Sequence, residues 1–171
     1  MVVVSNNLYV LNDFTMSNNS RLSTSAELFY YGNFTVNAGS SYESVGNYTC
    51  FWGADNRSSY KSYGQYTTKD QTITMAGNVS FAGISCRCSS LEEGTKTLVG
   101  SIVTTGELRA WGLARIVDDA DSYSHEFGGV VAEGEIDLSS HMTITNGTIR
   151  RQDAVPRTKS NTFSIDRKSV V

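Results

Sequence analysis

Charge is in short supply in this chain. Asp, Glu, Lys and Arg make up 18% of its 171 residues, against about 25% in an ordinary soluble domain. The formal net charge is −3, which removes the dense basic surface that a chain-wide grip on nucleic acid requires. Cysteine is too rare for a disulfide framework. Cys50, Cys86 and Cys88 form an odd set of three, and free or buried thiols are the expectation. On a strand Cys86 and Cys88 would share one face, and a bridge from Cys50 to either would need an oxidising compartment. Histidine occurs only at His125 and His141. Neither lies in a nucleophile signature and there is no Gly-x-Ser-x-Gly, so a Ser–His or Cys–His centre is not indicated. No apolar run approaches the roughly 20 residues of a membrane span. The first seven residues lack a basic start and a long apolar stretch, so no signal peptide is read. The expectation is a chain made in the cytoplasm, with no membrane partner.

Short polar residues take the place of the missing charge. Ser (23), Thr (17), Asn (12) and Gly (15) account for 67 residues. Thr suits strands, while Gly, Asn and Ser suit turns and weaken helix interiors. Aromatic content is 11%, led by nine Tyr, which argues for a folded chain over a disordered one.

Strand patterning recurs along the chain. Ala26 to Tyr31 and Phe34 to Ala38 flank Gly32-Asn33, which predicts a hairpin with a type II′ turn. Tyr48 to Trp52, Gln71 to Met75, Asn78 to Cys88 and Lys96 to Val103 follow. Glu107 to Val117 reads as one strand, with an amphipathic helix as the competing reading. Val130 to Leu138 alternates cleanly, with Glu133, Glu135 and Asp137 on the polar side. Asn146-Gly147, between Met142 to Thr145 and Thr148 to Arg151, is a strong hairpin signal. Thr162 to Asp166 is a last strand. The resulting expectation is an all-β fold, an antiparallel sandwich, jelly roll or barrel of about nine or ten short strands. No fixed-period repeat is visible. Residues 1–25 read as an N-terminal arm or first short strands. Residues 26–155 form the β-domain core, and 156–171 a basic segment carrying the last strand.

Catalytic patterns are weak. Glu133, Glu135 and Asp137 would sit about 7 Å apart on one strand face, a spacing compatible with a hydrolase pair. A solvated acidic face is the plainer reading, so the chain is read as no enzyme. Asp118, Asp119 and Asp121, with Glu126, lack the spacing of a calcium loop. Cys-x-Cys is not the usual zinc spacing. No metal and no cofactor are expected.

Surface patterns are stronger. Tyr60, Tyr63 and Tyr66 recur every third residue beside Trp52 and Arg57, among Ser, Gly and Asn. That mixture supplies large contact area at low entropy cost and marks a partner- or glycan-binding surface. Ten acids against three bases lie between Glu92 and Asp137. From Arg150 onward the balance reverses, with Arg150, Arg151, Arg157, Lys159, Arg167 and Lys168 against two acids. Opposite patches permit contacts between identical subunits, and the basic segment is read as a subunit contact ahead of nucleic acid. The functional expectation is a structural self-assembling protein, a virion subunit of phage head-decoration, tail or fibre type, partnered by copies of itself or other virion proteins. A carbohydrate-binding β-sandwich using Trp52 and the tyrosine-rich loop is the alternative.

Overall fold

The computed structural model describes residues 2–4, 6–53, 70–88, 93–151 and 163–165. Its strands wind in successive coils. The first coil holds β1 (Val2–Val4), β2 (Leu8–Val10) and β3 (Phe14–Met16). The second holds β4 (Arg21–Thr24), β5 (Leu28–Tyr30) and β6 (Phe34–Val36), and the third β7 (Ser41–Ser44), β8 (Thr49–Phe51) and β9 (Gln71–Met75). The fourth contains β10 (Asn78–Phe81), β11 (Ile84–Arg87) and β12 (Gly94–Val99). The fifth contains β13 (Val103–Thr104), β14 (Glu107–Trp111) and β15 (Ala114–Asp118). In the sixth, β16 (Ser124–Ala132) runs along two sides and β17 (Glu135–Leu138) along the third; β18 (His141–Arg151) and β19 (Phe163–Ile165) close the stack.

Every strand pairs in parallel with its equivalent in the next coil. Leu8 lies over Leu28, Phe14 over Phe34 and Val2 over Leu22, each twenty residues on. Three ladders result: β1-β4-β7-β10-β13-β16, β2-β5-β8-β11-β14-β16 and β3-β6-β9-β12-β15-β17-β19, the first two joined through β16. The fold is a three-sided parallel β-solenoid of about six turns.

That architecture overturns the antiparallel sandwich, jelly roll or barrel and doubles the expected number of strands. The two expected hairpins show why. Strands β5 and β6 do not pair with each other; β5 lies between β2 and β8, and β6 between β3 and β9. Gly32 turns the corner between them because the coil below comes too close for a side chain. A Cβ there would stand 2.6 Å from the Asp13 amide nitrogen. Asn146-Gly147 makes no hairpin either, since both residues lie within β18. Gly147 adopts φ +63° beside a register irregularity between β18 and β16 at Phe127/Gly129. The positive φ is spent on a bulge, where a Cβ would be costly. The long run from Glu107 breaks into β14 and β15 at Gly112-Leu113. The repeat that the linear sequence hides is the twenty-residue coil. It is regular through residues 8–36 and returns at Arg115 over Glu135, but between Phe34 and Ile73 the same step takes 39 residues.

The interior follows from stacking. Alternate side chains of each strand point inward, so each ladder builds inward columns. One column runs Leu28, Thr49, Ile84, Leu108 and Val130, and all five are buried. Near the first coils the core is aromatic. Phe34 is fully buried and its ring meets Phe14, Tyr30, Tyr42, Phe51 and Phe81 at centroid distances of 5.3, 4.9, 5.1, 5.4 and 6.1 Å. Edge-to-face geometry dominates these contacts, as ring quadrupoles favour. All three cysteines are buried thiols, none of them in a disulfide. Cys50 stands opposite Ser85, whereas Cys86 stands opposite Phe51. Cys50 therefore lies on the outer side of its ladder and Cys86 on the inner side.

Phe34→Ala opens a cavity that five rings and two backbone coils cannot fill. The expected loss is about 3–5 kcal/mol, measured as a shift of the chemical denaturation midpoint. A loss below about 1 kcal/mol would contradict the aromatic core described here.

Candidate interaction face

The outer side of the ladder containing β2, β5, β8, β11 and β14 carries a continuous column. It runs Tyr9, Phe29, Cys50, Ser85, Arg109, Val131 and Arg150. A neighbouring outer column brings Trp52 near Arg87. Tyr9 stacks on Phe29 at 4.7 Å and 7°. Trp52 presents an edge to Phe29 at 5.1 Å and to Tyr31 at 6.0 Å. The Arg87 guanidinium lies 4.9 Å from the Trp52 ring centroid, and the Arg109 guanidinium 4.4 Å from that of Tyr48. Such stacks hold a guanidinium flat while leaving its edge for hydrogen bonding.

Glu107 is the hub of the polar end. Arg109 donates to its Oε2 from Nε at 2.9 Å and from Nη2 at 2.7 Å. Arg150 pairs with Oε1, and the Tyr48 hydroxyl donates to Oε2 at 3.4 Å. Partial burial works against the Glu107 charge, but the two arginines outweigh it and hold the carboxyl below its usual range. Burial raises the Tyr48 hydroxyl, against the lowering effect of Arg109.

The expected site residues are distributed as follows. Trp52 and Arg150 both lie on this face, Trp52 half-buried and Arg150 paired within its own chain. Arg57, Tyr60, Tyr63, Tyr66, Arg157, Lys159, Arg167, Lys168 and the Arg151 side chain lie outside the described residues. Phe29, Tyr48, Arg87 and Arg109 join Trp52 only because coil stacking aligns them, and no local motif in the sequence marks them.

The acidic residues are engaged elsewhere. Glu133 does not share a strand with Glu135 and Asp137; it sits at a corner and accepts the Gly112 N–H at 2.8 Å. Glu135 and Asp137 both bind Arg115, at 2.8 and 3.0 Å. Asp119 accepts the Tyr123 hydroxyl at 2.6 Å. Among the described residues no group of three His, Cys, Asp or Glu side chains is placed to hold a metal ion. One surface hollow is lined by Arg21, Gly39, Ser40, Ser41, Ala76, Gly77 and Asn78, none of which is a carboxylate, thiol or imidazole. No helix among the described residues is long and apolar enough to cross a membrane.

Two buried polar pairs lie inside the solenoid. Lys96 is fully buried and donates from Nζ to Gln71 Oε1 at 2.7 Å. Gln71 in turn donates to the Tyr30 and Gly32 carbonyls at 3.1 and 2.7 Å. Burial pushes the Lys96 amine below its usual range, opposed by Cys88, Cys86 and Asp70. The second pair is Asp118 and His125, whose side chains are 1% and 0% exposed. Asp118 Oδ1 accepts the Ser139 N–H at 2.9 Å and hydroxyl at 2.7 Å, and Oδ2 accepts the Ser140 N–H at 2.9 Å. His125 Nε2 faces Oδ2 at 3.5 Å, while Nδ1 accepts the Ile102 N–H at 3.2 Å.

No protein-family model, curated protein or solved structure matches the chain.

The Asp118–His125 pair makes stability depend on pH. Burial holds His125 below its ordinary value of 6.5, against the pull of Asp118. The unfolded chain thus takes up a proton that the folded one refuses, and stability falls as pH drops below about 6.5. Burial also opposes the Asp118 charge, yet the serine hydrogen bonds hold that carboxyl below its ordinary 3.8. Its contribution is present above that value and fades at still lower pH. The denaturation midpoint should decline from about pH 7.5 to pH 5. A His125→Gln variant, able to accept from Ile102, should show a flatter profile over that range. A wild-type midpoint that stays constant would rule the account out.

Proposed function

We propose that the chain is a structural, self-assembling subunit of the kind that tails or fibres of virions are built from, and that it acts through its surfaces. The observation behind this reading is architectural. A parallel solenoid cannot close on itself as a barrel does. An architecture of this kind grows by adding coils through edge pairing, so extension of a ladder by another chain is a contact that it permits. The organisation of ionisable groups supports a structural role. Lys96, Asp118, His125 and Glu133 are buried, with hydrogen-bonding or charge partners inside the chain. Arg115 ties successive coils together through Glu135 and Asp137, and Glu107 reaches Arg150 two coils on.

The native mass, measured by light scattering on a sizing column, tests the reading. A defined assembly above the 18.7 kDa chain mass is expected. A chain that remains monomeric up to about 100 μM has no assembly tighter than that dissociation constant, and the proposal falls.

Glycan binding remains the second reading, on one observation. Trp52 is half-buried on the outer face beside Phe29 and Tyr31, with Arg87 stacked over it. Binding on a glycan array that a Trp52→Ala variant loses, with its fold intact, would select this reading. Absence of binding by the wild-type chain would remove it.

A further inference from the structure

Trp52 and Trp111 are the only two tryptophans of the chain. They are far apart in sequence but share one outer column. Phe51 stands opposite Cys86, and Arg87 opposite Trp111. Trp52, Arg87 and Trp111 therefore follow one another in three successive coils, on the side of the ladder away from the core. Arg87 is exposed and both indoles are half-buried. The Arg87 guanidinium lies over the Trp52 ring, 4.9 Å from its centroid. Phe29 and Tyr31 brace that ring in edge geometry at 5.1 and 6.0 Å.

Arg87 differs from the arginines around it in having donors to spare. Arg109 and Arg150 are committed to Glu107, and Arg115 to Glu135 and Asp137. Among the described residues Arg87 makes no salt bridge and no hydrogen bond. Stacking on Trp52 occupies only the flat face of its guanidinium and leaves the N–H edge open. The Trp111 ring likewise meets no other ring among the described residues, and its Nε1–H meets no acceptor there.

We propose that Arg87 and Trp111 form a binding site for a sugar acid, a pyranose unit that carries a carboxylate, and that Trp52 holds Arg87 in position for it. The inference rests on the glycan reading above and names the class of sugar. A planar guanidinium fixed on a ring offers two parallel N–H groups to a carboxylate. An indole beside it covers the C–H side of a pyranose ring, and its Nε1–H serves a hydroxyl. Successive coils lie about 4.8 Å apart, so both groups reach one sugar unit. Glu107 and Glu133 are engaged with Arg109, Arg150 and the Gly112 N–H. One uncommitted cation matches one charge per sugar. A nucleic acid would need further free cations, and Arg109 and Arg150 are already paired. An acidic peptide would bring carboxylates without a rigid C–H face for Trp111.

The test follows tryptophan fluorescence of the full chain, a signal confined to this site because both tryptophans belong to it. The probes are a glucuronic acid tetramer, its methyl ester, the matching glucose tetramer and a glutamate tetrapeptide. The wild type should bind the acid with a dissociation constant at or below about 1 mM. It should bind the ester and the glucose tetramer at least about tenfold more weakly, the effect of losing a charge-assisted pair of hydrogen bonds. Arg87→Gln should lose the preference for the acid, and Trp111→Leu should weaken acid binding at least about tenfold. Circular dichroism checks that each variant keeps its β-structure, and if one fails to fold the other decides. No response to any probe, together with an empty glycan array, overturns this inference along with the glycan reading. Three outcomes overturn this inference alone: a sugar bound without preference for the acid, an acid preference that Arg87→Gln retains, or equal binding of the glutamate peptide. An array signal with no fluorescence response to the acid does the same.

Discussion

In-register hydrogen bonding between successive coils is the constraint on which the rest of this protein depends. A parallel ladder sets each residue directly over its counterpart one coil away, about 4.8 Å distant. Side chains then form columns, and a column must be compatible with itself along its length. Inward columns are consequently mainly aliphatic or aromatic, as in Leu28, Ile84, Leu108 and Val130, and the polar residues among them are paired, Thr49 with the Tyr42 hydroxyl and Gln71 with Lys96. Outward columns can carry rings and guanidinium groups, because neighbours one coil apart stack or pair. The Tyr9–Phe29 stack and the Arg115 pairs with Glu135 and Asp137 are both products of that spacing.

Corners are where the ladder is interrupted and where buried polar groups collect. A corner leaves backbone groups without a strand partner, and burial makes an unpaired group costly. Asp118 serves this need by accepting the Ser139 and Ser140 N–H groups of the next coil. Gln71 does so by donating to the carbonyls of Tyr30 and Gly32. Lys96 then satisfies the remaining Gln71 oxygen. The interior charges are thus explained by the needs of coil closure, and on the outer side of the β5-β8 ladder Phe29, Tyr31 and Cys50 form a second, smaller buried cluster against which Trp52 and Tyr48 pack.

Much of the strand content was legible in the sequence, because period-two alternation is local. From Thr72 to Met75 the threonines lie toward the surface and Ile73 and Met75 are buried, as their residue types require. Pairing was not legible. Alternation is the usual mark of an antiparallel sheet, since most parallel sheets are buried on both faces. This solenoid breaks that association along β6, β9, β12 and β15, whose residues alternate between the core and the surface, while β5 and β8 are buried on both faces. Gly32-Asn33 and Asn146-Gly147 misled for a related reason. Both carry turn chemistry, but one answers a close approach of the preceding coil and the other a bulge in a long strand. At the candidate face, Trp52 and Arg150 were singled out by the sequence, whereas Tyr48, Arg87 and Arg109 come beside them only through neighbours one or more coils away in sequence.

By itself the sequence determined that this chain is β-rich, sparsely charged and without a recognisable catalytic signature, because composition and alternation act within a few residues. Tertiary structure decided that the strands run parallel and that Glu133 parts from Glu135 and Asp137. Those outcomes depend on which residue lies one coil above another. That register is set by corner lengths and by the fit of whole columns, neither of which any single segment contains.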